Sequence, residues 1–510
     1  MRKPRLCAKR FWRTLSPERG LQPTKHSPMV EGLNSSFAGP HRAGTYSLLP
    51  FKFMPLDDSR YVAVNAGGDY LLAPRSDILA TVEHRLHPTH RRFDDFEARN
   101  FLTTSDPQSA VELLATHYRT RMSRLPDFTA LHIFVVTLRC DHSCRYCQVS
   151  RVSENKTAYD MPTEVADRGL GHVFRSPSPT IKIEFQGGEP LLNFSLIRHI
   201  VKKAQQMNDG RNLQYVIATN LVYLDDEIID FCRDRPIYFS TSLDGPRGVH
   251  DSNRPRPGRN SYDLAIAGIE KIRTTLGPER VSALMTSTPE SLRMPEAIVD
   301  EYVRQGFGTI FLRHISPYGF AARAQSRLGY ETEEFIAFYK RALDHIINLN
   351  RSGTIIVEAY SALLLTRILT SFPTSYVDLQ SPAGTGIAAI LYNYNGKVYA
   401  ADEGRMLAEM DDETFCLGRV DDCYDKLFLG SGLLPILYDS MVESVPLCAD
   451  CAFQLYCGTD PVFHHRTQGD FVGHRPTSAF CRRNMEVIRH LITLLEDSPA
   501  AAKVLRSWVA

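Results

Sequence analysis

The sequence predicts an α/β chain centred on an open, partial (β/α)6 barrel, with a small α+β module before it and a cysteine-bearing domain after it. Three observations lead there. From residue 131 to about 350, strand-like apolar runs alternate with amphipathic helix-like runs six times, the pattern of a parallel sheet with right-handed crossovers. Six units are too few to close an eight-stranded barrel. The side chains with chemistry to offer fall at the carboxyl ends of those strands, where parallel α/β sheets place their sites. The eleven cysteines are clustered, three in one loop and six after residue 415.

Residues 1–46 carry scattered Pro, Gly, Ser and Arg with no period and read as a disordered leader, with Cys7 an unliganded surface thiol. Met1 to Leu15 is basic but lacks the apolar stretch of a secretory signal. Residues 47–128 form the α+β module. Tyr61-Val62-Ala63-Val64-Asn65 and Tyr70-Leu71-Leu72-Ala73 flank Ala66-Gly67-Gly68-Asp69, a hairpin signal. Ser76-Asp77 are expected to cap a helix through about Leu86, and Ala110 to Leu125 reads as a second helix. The module packs on the barrel, or offers a sheet edge to a peptide by strand addition.

Residues 129–352 hold the barrel. Its strands are expected at Leu131–Leu138, Thr180–Phe185, Leu213–Thr219, Ile237–Leu243, Val281–Thr286 and Thr309–Ile315. Helices follow at Pro162–Phe174, Asn193–Met207, Asp225–Arg233, Ser261–Leu276, Met294–Gln305 and Thr332–Leu349. Residues 353–377 read as a helical connector. Residues 378–490 read as a separate domain, with strands Ile387–Tyr392 and Lys397–Tyr399 around the turn Asn393–Gly396. Residues 491–510 read as a C-terminal helix and tail.

Composition excludes several classes. In 510 residues, 43% are hydrophobic and 23% charged, ordinary for a soluble globular protein long enough for more than one core. Lys plus Arg (59) nearly cancels Asp plus Glu (58), so nothing argues for nucleic acid or an anionic membrane. No apolar run reaches the roughly 18 residues of a transmembrane helix. Clustered cysteines in such a chain argue for metal rather than disulfides, and for a reducing, cytoplasmic setting.

The first cluster is Cys140-x3-Cys144-x2-Cys147, on the loop leaving the first strand. Three thiolates leave an iron–sulfur cube one ligand short, and an open position marks a site that reacts rather than one that staples. A zinc loop lacking one ligand is the other reading. After the second strand, Gly187-Gly188 lets backbone come close to a ligand, Glu189 adds a carboxylate and Pro190 stiffens the exit. Asn220 and Ser242 end the third and fourth strands with short hydrogen-bonding groups suited to ribose. Arg254, Arg256 or Arg313 can grip a carboxylate, while Asp244 reads as a turn residue. The late set Cys448-x2-Cys451-x5-Cys457 with Cys481 supplies four thiolates, enough to close a second cluster or a zinc site. Cys416 and Cys423 read as packing thiols and Cys232 as core.

Together the cysteine loop, Gly187-Gly188-Glu189-Pro190 and the six βα units resemble the radical S-adenosylmethionine (SAM) superfamily. The resemblance implies a [4Fe–4S] cluster at Cys140, Cys144 and Cys147 whose open iron binds SAM, and a low-potential electron donor. It implies that Gly187 to Glu189 bind the SAM amino group, that Tyr146 packs on the adenine, and that Asn220, Ser242 and Arg313 lie nearby. Residues 378–490 resemble the SPASM extension of enzymes that modify peptides, which carries two auxiliary clusters. The Cys448, Cys451, Cys457 and Cys481 set matches one. Ala383, Ala401 and Asp460 stand where ligands of the other are usual, so the resemblance implies a single auxiliary [4Fe–4S] cluster. In related sulfatase-maturing enzymes an aspartate matching Asp402 deprotonates substrate; ordinary turn chemistry at Asp402-Glu403-Gly404 is the plainer reading.

The family most like this chain, over Leu48 to about Leu491, is the radical SAM/SPASM maturase of the His-Xaa-Ser repeat peptide system. That resemblance implies a peptide substrate with His-Xaa-Ser repeats and a second radical SAM partner. His464 and His465 are read as packing or loop residues. Two further readings compete: a sulfatase-type maturase oxidising Ser or Cys, and a zinc-stapled, non-catalytic peptide-binding scaffold.

Overall fold

The computed structural model describes residues 46–323, 328–430 and 432–509. The leader expected before Tyr46, with Cys7, lies outside the described residues.

The N-terminal module is built on β2 (Phe51–Pro55), β3 (Arg60–Asn65) and β4 (Tyr70–Pro74), an antiparallel sheet, with β1 (Ser47–Leu48) pairing antiparallel to β5 (Leu102–Thr103). The expected β3–β4 hairpin forms because Asn65 Oδ1 accepts the N–H groups of Gly67, Gly68 and Asp69, and Gly68 supplies the turn with φ +97°. Helix α1 (Arg75–Val82) departs from expectation: its N-cap is Pro74, and Ser76 Oγ bonds the Asp77 carboxylate instead of the backbone. Pro74, held at φ −56°, ends β4 and turns the chain directly into the helix. Helices α2 (Phe93–Ala98) and α3 (Pro107–Arg121) complete the module, α3 capped by Asp106. Arg121 donates to the carbonyls of Gly67 and Arg367, tying the hairpin turn to the main body.

The main sheet has nine strands in the order β12-β10-β9-β8-β7-β6-β14-β15-β16. Strands β6 (Leu131–Thr137), β7 (Thr180–Gly187), β8 (Asn212–Ala218), β9 (Ile237–Ser242) and β10 (Val281–Thr286) run parallel. Helices α4 (Thr163–Val173), α5 (Phe194–Met207), α6 (Asp226–Arg233), α7 (Arg247–Asn253), α8 (Ser261–Leu276) and α9 (Pro295–Arg304) make the crossovers. The mixed α/β class and the parallel sheet are as the sequence predicts.

Two details are corrected. The expected sixth strand, Thr309–Ile315, divides into β11 (Thr309–Ile310) and β12 (Leu312–Arg313). Only β12 joins the main sheet, beside β10; β11 pairs with β13 (Val357–Glu358), which follows α10 (Thr332–Arg351). The buried Glu358 carboxylate accepts the Leu312 N–H and also caps α11 (Ala359–Leu369), so side chain replaces backbone where the strand divides. The second detail is the boundary at residue 378. Strand β14 (Ala389–Tyr392) pairs in parallel with β6, and β15 (Lys397–Tyr399) and β16 (Cys416–Arg419) continue antiparallel. One sheet therefore runs through both regions. Helices α12 (Asp402–Ala408) and α13 (Pro461–Gln468) follow, then α14 (Ala479–Asp497), which spans residue 490, and α15 (Pro499–Arg506).

His132 sits on the β6–β14 seam, buried, with Nδ1 at 3.3 Å from Tyr392 Oη and Nε2 unpartnered among the described residues. Burial pulls its pKa down to about 3. The unfolded chain thus binds the proton that the fold refuses, and stability falls as pH drops from about 6.5 toward 3. The urea midpoint is expected to decrease steadily between pH 7 and 4.5, with a shallower slope in His132→Phe; an unchanged slope in that variant refutes the assignment. Among the described residues no helix is long and apolar enough to cross a membrane.

Candidate functional site

The cysteine loop leaves β6 and is pinned at several points. Cys140 N–H donates to Val152 O at 3.0 Å, Ser143 N–H to Pro255 O at 2.7 Å, and Arg145 N–H to Asn253 O at 2.9 Å. These bonds hold three thiols around one cavity of about 250 Å³. Desolvation raises all three pKa values, Cys144 to about 11. Thiols in that state become thiolates when a metal takes the place of the proton. His142 N–H already points at Cys140 Sγ, 3.4 Å away. Three sulfurs, no fourth cysteine on the cavity and this N–H donor fit a cluster with one open iron.

Gly187 and Gly188 line the same cavity. A Cβ on Gly187 would overlap Thr137 O, and one on Gly188 would overlap Arg139 O and stand 2.6 Å from Leu138 O. Their hydrogen requirement comes first from the backbone of the cysteine loop itself, with Gly188 N–H donating to Thr137 O at 2.9 Å.

Glu189 is held differently from its two neighbours. Its carboxylate is fully buried and turned away from the cavity, accepting from Thr219 Oγ1 at 2.6 Å, Asn220 N–H at 2.8 Å and Leu191 N–H at 3.0 Å. Burial pushes it up to about 7 against those bonds. It locks the ends of β7 and β8 together, and its backbone N–H donates to Arg139 O at 2.7 Å. Pro190, also buried, opens a short 3-10 turn and does not line the cavity.

Tyr146 does line it, but its hydroxyl is committed. It donates to Asp244, 2.7 Å away, and accepts from Arg254 Nη1 at 2.9 Å. Asp244, which reads as a turn residue in the sequence, is fully buried and organises this triplet. Ser242 and Arg313 reach the cavity from the ends of β9 and β12. Asn220 reaches it too, with its amide nitrogen on Asp141 Oδ1 at 2.8 Å.

Asp141 and His142 were missed in the sequence. Asp141 also accepts from Arg256 at 3.1 Å, and His142 bonds Asp141 through Nδ1 and Ser261 Oγ through Nε2, both at 2.8 Å. Burial alone would raise Asp141, but bonds from His142, Asn220 and Arg256 hold it below the usual carboxylate range. Cys140, Asp141 and His142 place potential ligand atoms within 4.8 Å, yet both imidazole nitrogens are already engaged. The pair braces the loop from behind. Its adjacency to Cys140 was the available signal.

Asp402 opens α12 at the cavity edge, and its Oδ1 accepts from Arg405 Nη2 at 3.0 Å. Arg405 is fully buried, with Nε and Nη1 unpartnered among the described residues.

Cys448, Cys451, Cys457 and Cys481 line a second cavity of about 290 Å³, with Met54 from the N-terminal module and Arg475 on its wall. Desolvation raises Cys451 to about 12, the neighbouring thiols adding to the rise. Ser478 Oγ caps α14 by accepting from Cys481 N–H, which fixes that thiol on the first helical turn. Among the described residues no three of these sulfurs fall within 4.8 Å of one another, whereas thiolates bound at about 2.3 Å to one zinc would stand closer. Ala383 and Ala401 are buried and apolar, and Asp460 caps α13 by accepting from Phe463 N–H. Cys232 is buried as expected; Cys416 is half-buried on β16, while Cys423 is exposed and does not pack. His464 is buried against Ser478 and Arg475, and His465 pairs with Asp412.

Comparison with known proteins gives one family and several relatives. Residues 134–302 match the Radical SAM superfamily. The uncharacterized protein MJ0907 of Methanocaldococcus jannaschii is 31% identical over 156 residues, 30% of this chain and 52% of that protein. A serine-type anaerobic sulfatase-maturating enzyme of Bacteroides thetaiotaomicron is 25% identical over 142 residues, 27% of this chain and 34% of the enzyme. The matches thus span about half the length, or less, of these curated relatives. Among solved structures, native anSMEcpe with bound AdoMet and Cp18Cys peptide has a TM-score of 0.59 at 16% identity, covering 74% of this chain and 99% of that one. SuiB of Streptococcus suis bound to S-adenosylmethionine has a TM-score of 0.52 at 12% identity, covering 84% and 98%; SuiB is also known bound to precursor peptide SuiA. The fold is that of a radical SAM domain with additional elements on both sides.

Proposed function

We propose that this chain is a radical SAM enzyme that modifies a ribosomally made peptide or protein by hydrogen-atom abstraction. One observation carries the reading: a single cavity gathers Cys140, Cys144 and Cys147, the Gly187-Gly188 wall, Asn220, Ser242, Arg313 and Asp402 from six separate segments. Cys140, Cys144 and Cys147 would hold a [4Fe–4S] cluster, which when reduced would supply the one electron that breaks the sulfur–C5′ bond of SAM into methionine and a 5′-deoxyadenosyl radical. The chain's own groups do the rest. Backbone at Gly187 to Glu189 receives the SAM amino group, Arg254 or Arg313 its carboxylate, and Ser242 a ribose hydroxyl. The Asp244–Tyr146–Arg254 triplet keeps the Tyr146 ring fixed on the cavity wall for the adenine. Cys448, Cys451, Cys457 and Cys481 hold one auxiliary cluster, for which their spread is better suited than for zinc.

The substrate we favour is a His-Xaa-Ser repeat peptide, with a low-potential electron donor and a second radical SAM maturase as partners. A sulfatase-type maturase has equal support from the comparisons, and Asp402 on the cavity favours it as the base that such an oxidation requires.

Anaerobic purification with iron, sulfide and zinc analysis tests the reading. About eight irons per chain are expected from two four-iron clusters, with dithionite-dependent release of 5′-deoxyadenosine. That release should vanish in Cys144→Ala. Stoichiometric zinc with no SAM cleavage would favour the scaffold reading instead.

A further inference from the structure

Next to the cysteine cavity lies a second, smaller one of about 100 Å³, sharing Arg313 on its wall. Three carboxylates face it, Asp378, Glu403 and Asp460, against two guanidiniums, Arg313 and Arg483. Asp378 and Glu403 accept no side-chain hydrogen bond among the described residues, while Asp460 caps α13. Burial first, then the neighbouring carboxylates, push all three above the usual carboxylate range in spite of Arg313 and Arg483, so their ionised forms are poorly compensated here and a cation that entered would be drawn to them.

An independent feature points into the same space. Tyr318 is 1% exposed, lines the cavity, and its hydroxyl has no partner among the described residues. The remaining wall is aromatic, including Phe335, Tyr360, Tyr376 and Phe463. A buried phenol left free and carboxylates left unbonded cost stability unless a ligand satisfies them. Aromatic faces and carboxylates together suit an organic cation. A hard divalent ion is poorly matched, since among the described residues no three carboxylate oxygens here converge within 4.8 Å.

We propose that this Asp378–Glu403–Asp460 cavity, with Tyr318 at its wall, is a recognition pocket for the cationic side-chain end of the peptide substrate, an ammonium, guanidinium or imidazolium group. The proposal rests on the peptide-modifying reading above and adds how that peptide is positioned. Glu403 lines this pocket while its neighbour Asp402 lines the cysteine cavity, so α12 spans the two. A basic residue anchored here would place a residue near it in sequence over the SAM site.

Calorimetry on the oxidised holoprotein provides the test, with Nα-acetyl-lysine methylamide and its uncharged analogue Nα-acetyl-norleucine methylamide as probes. The lysine probe should bind about tenfold or more tightly than the norleucine probe, the scale of a charge-assisted hydrogen bond. Asp378→Asn and Glu403→Gln should each erase most of that preference at unchanged iron content and far-UV circular dichroism. Tyr318→Phe, which keeps the ring, should weaken the lysine probe alone and serves if the carboxylate variants fail to fold. Equal binding of the two probes overturns the proposal, as does a stoichiometric divalent ion other than iron that disappears in Glu403→Gln. The measurement involves no turnover, so absence of SAM cleavage would sink the enzymatic reading without deciding this one.

Discussion

Replacing Gly188 by alanine is expected to strip the iron held at Cys140, Cys144 and Cys147 and reduce 5′-deoxyadenosine release to background. The added methyl would overlap Arg139 O and lie 2.6 Å from Leu138 O. Both obstacles are backbone of the chain that delivers Cys140, so no side chain can rotate aside to relieve them. Either β7 retreats or the cysteine loop does, and the Gly188 N–H to Thr137 O and Glu189 N–H to Arg139 O bonds oppose both. Overpacking of this kind costs roughly 1–3 kcal/mol, which leaves the chain folded while displacing a ligand that must sit to within about 0.5 Å. Iron should therefore fall from about eight per chain to about four, with the auxiliary site filled and the melting temperature lowered by a few degrees. A Gly188→Ala protein with full iron and normal SAM cleavage would show that the wall is not built as described.

The same two glycines show what the sequence could and could not express. The strand-then-helix alternation located β6 to β10 because each strand is buried on a parallel sheet and each helix amphipathic, and those patterns are local. Thiol spacing singles out Cys140, Cys144 and Cys147, and Cys448, Cys451 and Cys457, for the same reason, since residues close in sequence can share one loop; Cys481, on α14, joins its cavity only through the fold. What lay beyond reach was pairing between distant segments. Nothing in Ala389–Tyr392 reveals that it adds to the β6 edge, because a short apolar strand fits many neighbours. Nothing in Val357–Glu358 reveals that its carboxylate will divide the sixth strand at Leu312.

Buried polar groups set the second limit. Glu189 and Asp244 are acidic residues in turn-like contexts, and sequence statistics place such residues at the surface. Here both are fully buried because partners from other strands satisfy them: Thr219 and Asn220 for Glu189, Tyr146 for Asp244. The cysteine motif identifies the candidate ligands. The groups that hold those ligands in place come from residues 189, 220, 244, 254, 256 and 261, and only the folded chain assembles them.

Arg405 carries the other large expectation. A fully buried guanidinium beside the cysteine cavity binds Asp402 at 3.0 Å, and its charge favours the thiolate of Cys147. Arg405→Met keeps much of the volume and removes the cation, leaving the Asp402 carboxylate, 16% exposed, without its partner. Breaking a buried pair from one side costs about 3 kcal/mol or more, so a clear loss of stability is expected in denaturant titration. Peptide turnover should fall further than stability alone explains, because Asp402 loses its orientation. Asp402→Asn separates the two effects. If Asp402 removes a proton from the substrate, that variant keeps its iron and releases 5′-deoxyadenosine while product formation drops at least tenfold, within the ~10²–10⁴-fold that a general base contributes. Arg405→Lys should then recover part of the turnover lost in Arg405→Met, since a shorter-reaching cation still faces the carboxylate but cannot match the planar fork. Undiminished product formation in Asp402→Asn would assign the pair to structure alone, with Arg405 serving as the buried charge that holds α12 against the cysteine loop.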